Sequence, residues 1–251
     1  MTTKTRLSEV PKYKEDIISF FKFTKHIDSL VQGNLYMNNL KCYIDMEKES
    51  GVKGVGDLLE ASQVYSNVDI RMYNNETGEL ALSGMRGNIN FRVDGIEKTP
   101  VYCLFALTSD KLKIVEETED SYITKMDFSA DEIDKMVNEF GESVVLINAK
   151  QFIERVMNVF DEKGYGYKLD LVKYDDYSVN SSKRIESYMK NNNEIFFWKD
   201  KFFENQNEYR VVITNLETDE PITVNIGDIS DITEVYNARE VFNGFKIHFK
   251  K

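Results

Sequence analysis

Residues 196–213 read FFWKDKFFENQNEYRVVI, and the conformation of the last six decides how the rest of the chain is read. As a β-strand, EYRVVI sends Glu208, Arg210 and Val212 to one face and Tyr209, Val211 and Ile213 to the other. An acid and an arginine then share a face where the strand begins, beside the amides Gln206 and Asn207. A carboxylate held on so rigid an element can orient a hydroxyl or stabilise a cationic transition state, provided that a cleft admits substrate. The same two residues also read as a surface ion pair on an edge strand, worth ~0–1 kcal/mol. Upstream, Trp198 is one of five aromatics in eight residues, a cluster that reads either as core or as a partner-binding surface.

Working outward, TPVYCLFALTSD (99–110) is a near-continuous apolar run, the signature of an inner strand. A strand is expected at Ile17–Phe23, then a helical stretch at 24–32 with Thr24 as N-cap and Gly33 as its stop, then a strand at Leu35–Met37. ESGVKGVGDLLEAS (49–62) holds three glycines and reads as a loop; it matches neither phosphate-loop fingerprint. Residues 68–101 alternate as β-hairpins around the turn NNETGE. SADEIDKMVNEFG carries a capping box, Ser129 with Glu132, and ends at Gly141; AKQFIERVMNVFDEKG is a second amphipathic helix, stopped by Gly164. ESVVLIN and YKLDLVKYDDY read as strands, residues 181–203 as helical pieces, and residues 221–251 as strands with one turn.

Length and composition fit one α+β domain over 1–251: 41% of residues are hydrophobic, with 16 Phe and 14 Tyr to build a core. The formal net charge of −11 argues against a nucleic-acid backbone as the default partner. Cys42 and Cys103 stand apart from any CxxC spacing and are read as small hydrophobes in apolar strands, which leaves no metal site and no disulfide framework. The opening MTTKTRLSEV has no apolar core and no run approaches 18 apolar residues, so a soluble cytoplasmic protein without membrane contact is expected.

The ordered set FFKFTK, GNLYMNNLKCYIDMEKESGVKGVGDLLEAS, VYCLFALTSD and KFFENQNEYRVVI resembles a family of bacterial and phage proteins with an ADP-ribosyltransferase-like fold. The resemblance spans most of residues 17–213. It implies a mixed and antiparallel split β-sheet core flanked by helices, with a nicotinamide-nucleotide cleft and NAD as cofactor. By the same resemblance Glu208 takes the catalytic-glutamate position and Lys22 a nucleotide-contacting one. Asp57 and Glu60 fill the acidic segment, and Thr108 and Ser109 lie toward the ribose. Gln206 flanks the site, Arg210 or Lys22 pairs with the pyrophosphate, and Tyr36 stacks on a ring. The family's first-strand His is missing; His26 lies four residues beyond Lys22. Read without the resemblance, Lys22 is a solvated strand residue, and Asp57 and Glu60 are ordinary acids at a helix start.

Two functions follow from the resemblance. One is an enzyme that transfers ADP-ribose or cleaves NAD. The other is a non-enzymatic, phage-encoded inhibitor that binds a host defence protein or sequesters its nucleotide signal, which the missing His and the acidic charge favour.

Overall fold

A computed structural model describes residues 5–190 and 192–251. The first half runs β1 (Ile17–Phe23), α1 (Ile27–Val31), β2 (Asn34–Asn39), α2 (Leu40–Ser50), β3 (Gln63–Tyr73), β4 (Leu80–Phe91), β5 (Pro100–Thr108), β6 (Leu112–Glu117), β7 (Ser121–Met126) and α3 (Ala130–Phe140). The second half runs β8 (Ser143–Ile147), α4 (Ala149–Glu162), β9 (Tyr167–Leu171), β10 (Lys173–Asp175), α5 (Ser182–Lys190), β11 (Trp198–Asp200), β12 (Glu208–Ile213), β13 (Ile222–Asn225), β14 (Thr233–Asn237), α6 (Ala238–Gly244) and β15 (Lys246–Lys250). The fold is α+β, with antiparallel sheets flanked by helices.

β5, buried along nearly its whole length, is the axis of the main sheet. On one edge it pairs with β12 from Val101↔Val212 to Phe105↔Glu208, and β12 pairs in turn with β9. The opposite edge is shared. β1 covers its C-terminal half, Phe21↔Phe105 through Ile17↔Thr108, while β2 touches only its start, at Asn38↔Val101 and Asn39↔Pro100. Beyond Phe21, β1 leaves β5 and continues against β8 through Lys22↔Val145 and Phe23↔Val144. The sheet therefore forks at Tyr102, Cys103 and Leu104.

Alternation along the strands distributes the core. Phe20, Tyr102, Tyr209 and Val211 pack with Phe152 and Phe160 of α4 on one face. The other face carries two separate clusters. Phe21, Phe105 and Leu107 meet α3 and α6 through Met136 and Phe242, whereas Val101 and Val212 meet Leu40 of α2 and residues 195–198. A gap remains between them, beside the fork.

Several expectations hold in detail. The Ser129–Glu132 capping box is formed, and the second amphipathic helix, α4, ends just before Gly164. Others are corrected. α1 is shorter than the span 24–32, because the Thr24 hydroxyl accepts from the His26 amide in a turn instead of capping the helix. Cys42 lies in α2, a helix capped by Asn39, not in a strand. In place of hairpins over 68–101 there is one long hairpin over residues 63–91, followed by a 3-10 turn at Ile96–Lys98 and the start of β5, and α6 interrupts the C-terminal strands. Phe196, Phe197 and Trp198 are core residues, so they offer no surface to a partner.

Gly33 ends α1 with φ +82°, and a Cβ there would stand 1.8 Å from the Gly227 carbonyl oxygen. Gly33→Ala combines a left-handed backbone with a backbone clash, so it should cost at least ~3 kcal/mol in urea unfolding. A loss under about 1 kcal/mol would contradict this packing.

Candidate functional site

All six residues of β12 are buried, so its charged side chains face protein and not water. Arg210 commits all five of its N–H groups. Nε donates to Glu208 at 2.5 Å; one terminal nitrogen donates to Glu60 at 2.6 Å and to the Phe196 carbonyl at 2.7 Å; the other donates to Glu60 at 2.8 Å and Glu208 at 3.3 Å. Lys199, on β11, donates at 3.0 Å to both Glu208 and Gln206 and lies 3.7 Å from Glu60. Gln206 completes the link by donating to the Gly54 carbonyl at 3.0 Å.

These groups come from four separate segments, each fixed by local geometry. β11 is a three-residue strand paired in parallel with β10, which aims Lys199 inward. Glu60 sits in a turn in which Asp57 accepts from the Leu59 amide at 2.9 Å and its own amide donates to Tyr43 at 3.0 Å. Gly56 permits that approach, since a Cβ would lie 2.4 Å from the Glu47 nitrogen of α2. The helix start expected at Asp57 and Glu60 is therefore a buried turn.

The electrostatics follow from burial against pairing. Burial pushes the Glu208 carboxyl up, but Arg210 and Lys199 outweigh it and hold the group well below the usual carboxylate range. Burial pulls Lys199 down, and Glu208 and Glu60 more than reverse it, so its charge is reinforced. Asp57 goes the other way: burial, with the Glu60 charge beside it, raises its pKa to about 7. Burial and Glu208 push the Cys103 thiol up to about 12, which makes it inert as a nucleophile.

The gap beside the fork is a cavity of about 250 Å³. Phe21, Phe23, Phe105 and Phe140 wall one side, Tyr43 and Met46 of α2 and Val55 of the glycine loop the other. Lys22, Asn38, Lys199, Gln206 and Glu208 give it polar patches. Lys22 bridges the fork itself. Its ammonium donates at 2.6 Å to the Cys103 carbonyl, exposed where β1 and β2 part, and lies 4.4 Å from the centre of the Tyr102 ring. Burial lowers its pKa, against the pull of Glu208.

Of the residues singled out in the sequence, Lys22, Gln206, Glu208 and Arg210 line this cavity, and Glu60 is bonded to it through Arg210. Arg210 has no N–H left for a pyrophosphate, which corrects that assignment. Asp57 lies behind the cluster. Tyr36 is 59% exposed, on the same face of β2 as Asn38 but outside the cavity wall. Thr108 and Ser109 sit at the far end of β5, opposite Ile17, away from the cavity, so neither reaches a ligand held there.

Lys199 is the functional residue that sequence reasoning missed; WKD reads as part of a helical segment, and only its place between two aromatic pairs hints at burial. Tyr43 was also unsignalled, because α2 went unread, and so was Asn38, which lies one residue beyond the strand expected at Leu35–Met37.

Comparison with protein-family models, curated proteins and solved structures gives no match. Among the described residues, no helix is long and apolar enough to cross a membrane, and no group of three or more His, Cys, Asp or Glu could hold a metal ion.

Arg210→Met leaves the Phe196 carbonyl unpaired and two buried carboxylates, Glu208 and Glu60, with Lys199 as their one cation, and should cost ~3–5 kcal/mol in chemical denaturation. Asp57 carries a pH signature. Its folded pKa of about 7 lies above the unfolded value of about 3.9, so the folded state binds the proton more tightly. That stabilisation is complete below pH ~4 and is lost as pH rises toward and through about 7. Asp57→Asn keeps the oxygen that accepts from Leu59, so it should flatten this decline. At pH 8 it should be more stable than the parent chain, by on the order of a few kcal/mol. Parallel pH–stability curves for the two proteins would refute the assignment.

Proposed function

We propose that the fork cavity binds the flat ring of a nucleotide, NAD being the first candidate, and that the protein captures this ligand in the manner of an ADP-ribosyltransferase-like fold. The observation that carries the proposal is that Glu208 and Lys22, distant in sequence, line one aromatic-walled cavity. Its volume, about 250 Å³, lies just under the ~300–1,000 Å³ of sites that take a whole drug-sized ligand. It suits one ring with part of its sugar, with phosphates and a second base outside. Phe21, Phe23 and Phe105 supply the apolar walls such a ring needs, and Lys22 is the lining cation not already bound to a carboxylate.

Cleavage of the ribose–nicotinamide bond generates an oxocarbenium-like cation that a carboxylate stabilises while holding a ribose hydroxyl. In this reading Glu208, which lines the cavity, takes the second role. Its charge, however, is matched by Arg210 at 2.5 Å and Lys199 at 3.0 Å, so little of its field reaches a developing cation. This observation favours retention over turnover, and with it the reading of a non-enzymatic inhibitor that sequesters a nucleotide signal. Catalytic ADP-ribosyl transfer is the second reading.

Titration calorimetry of the whole chain with NAD and ADP-ribose, beside chromatography for released nicotinamide, separates these readings. NAD should bind at micromolar level, and Lys22→Gln, which removes the charge but keeps a donor, should weaken it by about tenfold. Nicotinamide release should stay at the buffer rate. Absence of heat with either nucleotide removes the proposal, while release that Glu208→Gln abolishes would establish the catalytic reading.

A further inference from the structure

The β3–β4 hairpin forms its own two-stranded sheet and joins no other. Its base is tied to the body: Ser66 exchanges hydrogen bonds with Asn180 and donates its hydroxyl to the Tyr177 carbonyl, Arg184 donates to the Val64 carbonyl, and Arg92 bonds the turn at 58–62. Beyond that base nothing covers it, and every residue of β4 except Gly87 is exposed. An isolated hairpin is at best marginally stable in water, so this arm is an incomplete element.

Three register shifts interrupt its pairing, the last beside Tyr73 near the tip, and the first two sort its side chains. Strict alternation would scatter the apolar residues over both faces. In β3, Asn67 at φ +52° absorbs the extra residue between Tyr65 and Val68; in β4, Gly84 at φ +81° does so between Leu82 and Met85. With those corrections Ile70 faces Met85 and Met72 faces Leu82 across the strands, and Ile89 and Phe91 follow on the same side. Met72, Leu82, Met85, Ile89 and Phe91 are each 43–53% exposed. The opposite face carries Asp69 paired with Arg86, and Asn88 bonded to Asn67. Bulges that re-aim side chains are built features, and here they assemble one apolar stripe.

We propose that this stripe is the interface with a second copy of the chain, the two hairpins packing face to face about a two-fold axis. Three observations select that occupant. The stripe beyond Tyr65 has no charged side chain, so it is self-complementary, as an isologous contact requires. Arms of about 11 residues reach up to ~35 Å, which holds apart the bodies of two chains that each carry −11 overall, while the arm itself, with Asp69, Glu76 and Glu79 against Arg71 and Arg86, contributes only −1. Face-to-face packing at ~10 Å buries roughly 600 Å² per copy, which reaches the ~1,200 Å² where specific interfaces begin. A lipid surface is a poorer fit, because both arginines of the arm point away from the stripe or into an ion pair, with no basic rim around it.

Sedimentation equilibrium of the full chain from about 1 to 200 µM tests this. The 29.2 kDa chain should self-associate to a dimer in the micromolar range. Leu82→Glu with Ile89→Glu should weaken dimerisation by at least about 100-fold with an unchanged circular dichroism spectrum, since both positions are exposed in the monomer. The proposal is overturned if the parent chain stays monomeric throughout. It is equally overturned if the double variant dimerises as well as the parent, or if the stripe binds anionic or neutral vesicles while the chain remains monomeric.

Discussion

The guanidinium of Arg210 holds three distant pieces of chain around one point. Through it the turn at Glu60, the carbonyl of Phe196 and the first residue of β12 are fixed relative to one another. Such a cluster is a poor source of stability: desolvating two acids and two bases offsets most of what their attraction returns, and apolar side chains of similar volume often do as well. Its effect is positional. It turns the polar end of the cavity toward the aromatic wall and leaves no N–H of Arg210 free, so any ligand meets a surface already organised.

The fork supplies the other constraint. A strand that parts from its neighbour exposes backbone groups, and buried backbone carbonyls are almost always paired. At Cys103 the missing strand partner is replaced by the Lys22 ammonium. A lysine in that place satisfies the carbonyl and simultaneously puts a desolvated cation at the edge of a cavity. The alternatives at this position are narrow: an apolar side chain would leave the carbonyl exposed to the cavity, and closing β1 onto β5 would remove the cavity altogether. The solvated strand lysine considered from the sequence is thus a structural bridge.

Alternation in EYRVVI correctly placed Glu208 and Arg210 on one face, and the apolar run of residues 100–108 correctly identified the inner strand, because both patterns depend on burial of a single segment. What stayed hidden needed two segments at once. Glu60 reads as an acid in a glycine-rich loop until Arg210 arrives from 150 residues away. Lys199 reads as helix surface until β11 finds its short parallel partner β10, a pairing with no sequence signature. The pair reading failed differently: Glu208 and Arg210 do form an ion pair, but one buried inside the sheet and not on its edge. α2 was legible in principle, since Asn39 caps it and Leu40 and Ile44 form its buried stripe, but its neighbouring strand residues drew the same segment toward β.

Charge parity within the cluster connects these points to function. Glu60 and Glu208 stand opposite Arg210 and Lys199, and Asp57, behind them, is the odd acid whose ionisation burial and Glu60 oppose. A cluster balanced without a ligand has no reason to attract a cation, and its matched Glu208 presents hydrogen-bond acceptors more than net charge. The base without a carboxylate partner is on the other side of the cavity, at Lys22, whose charged form burial disfavours. An anion bound there would relieve that penalty directly. Hence the polar chemistry of the site is asymmetric, with carboxylate-paired cations and the Glu208 acceptors on one wall and Lys22, free of any carboxylate, on the other. The proposed retention of an intact nucleotide rests on that asymmetry.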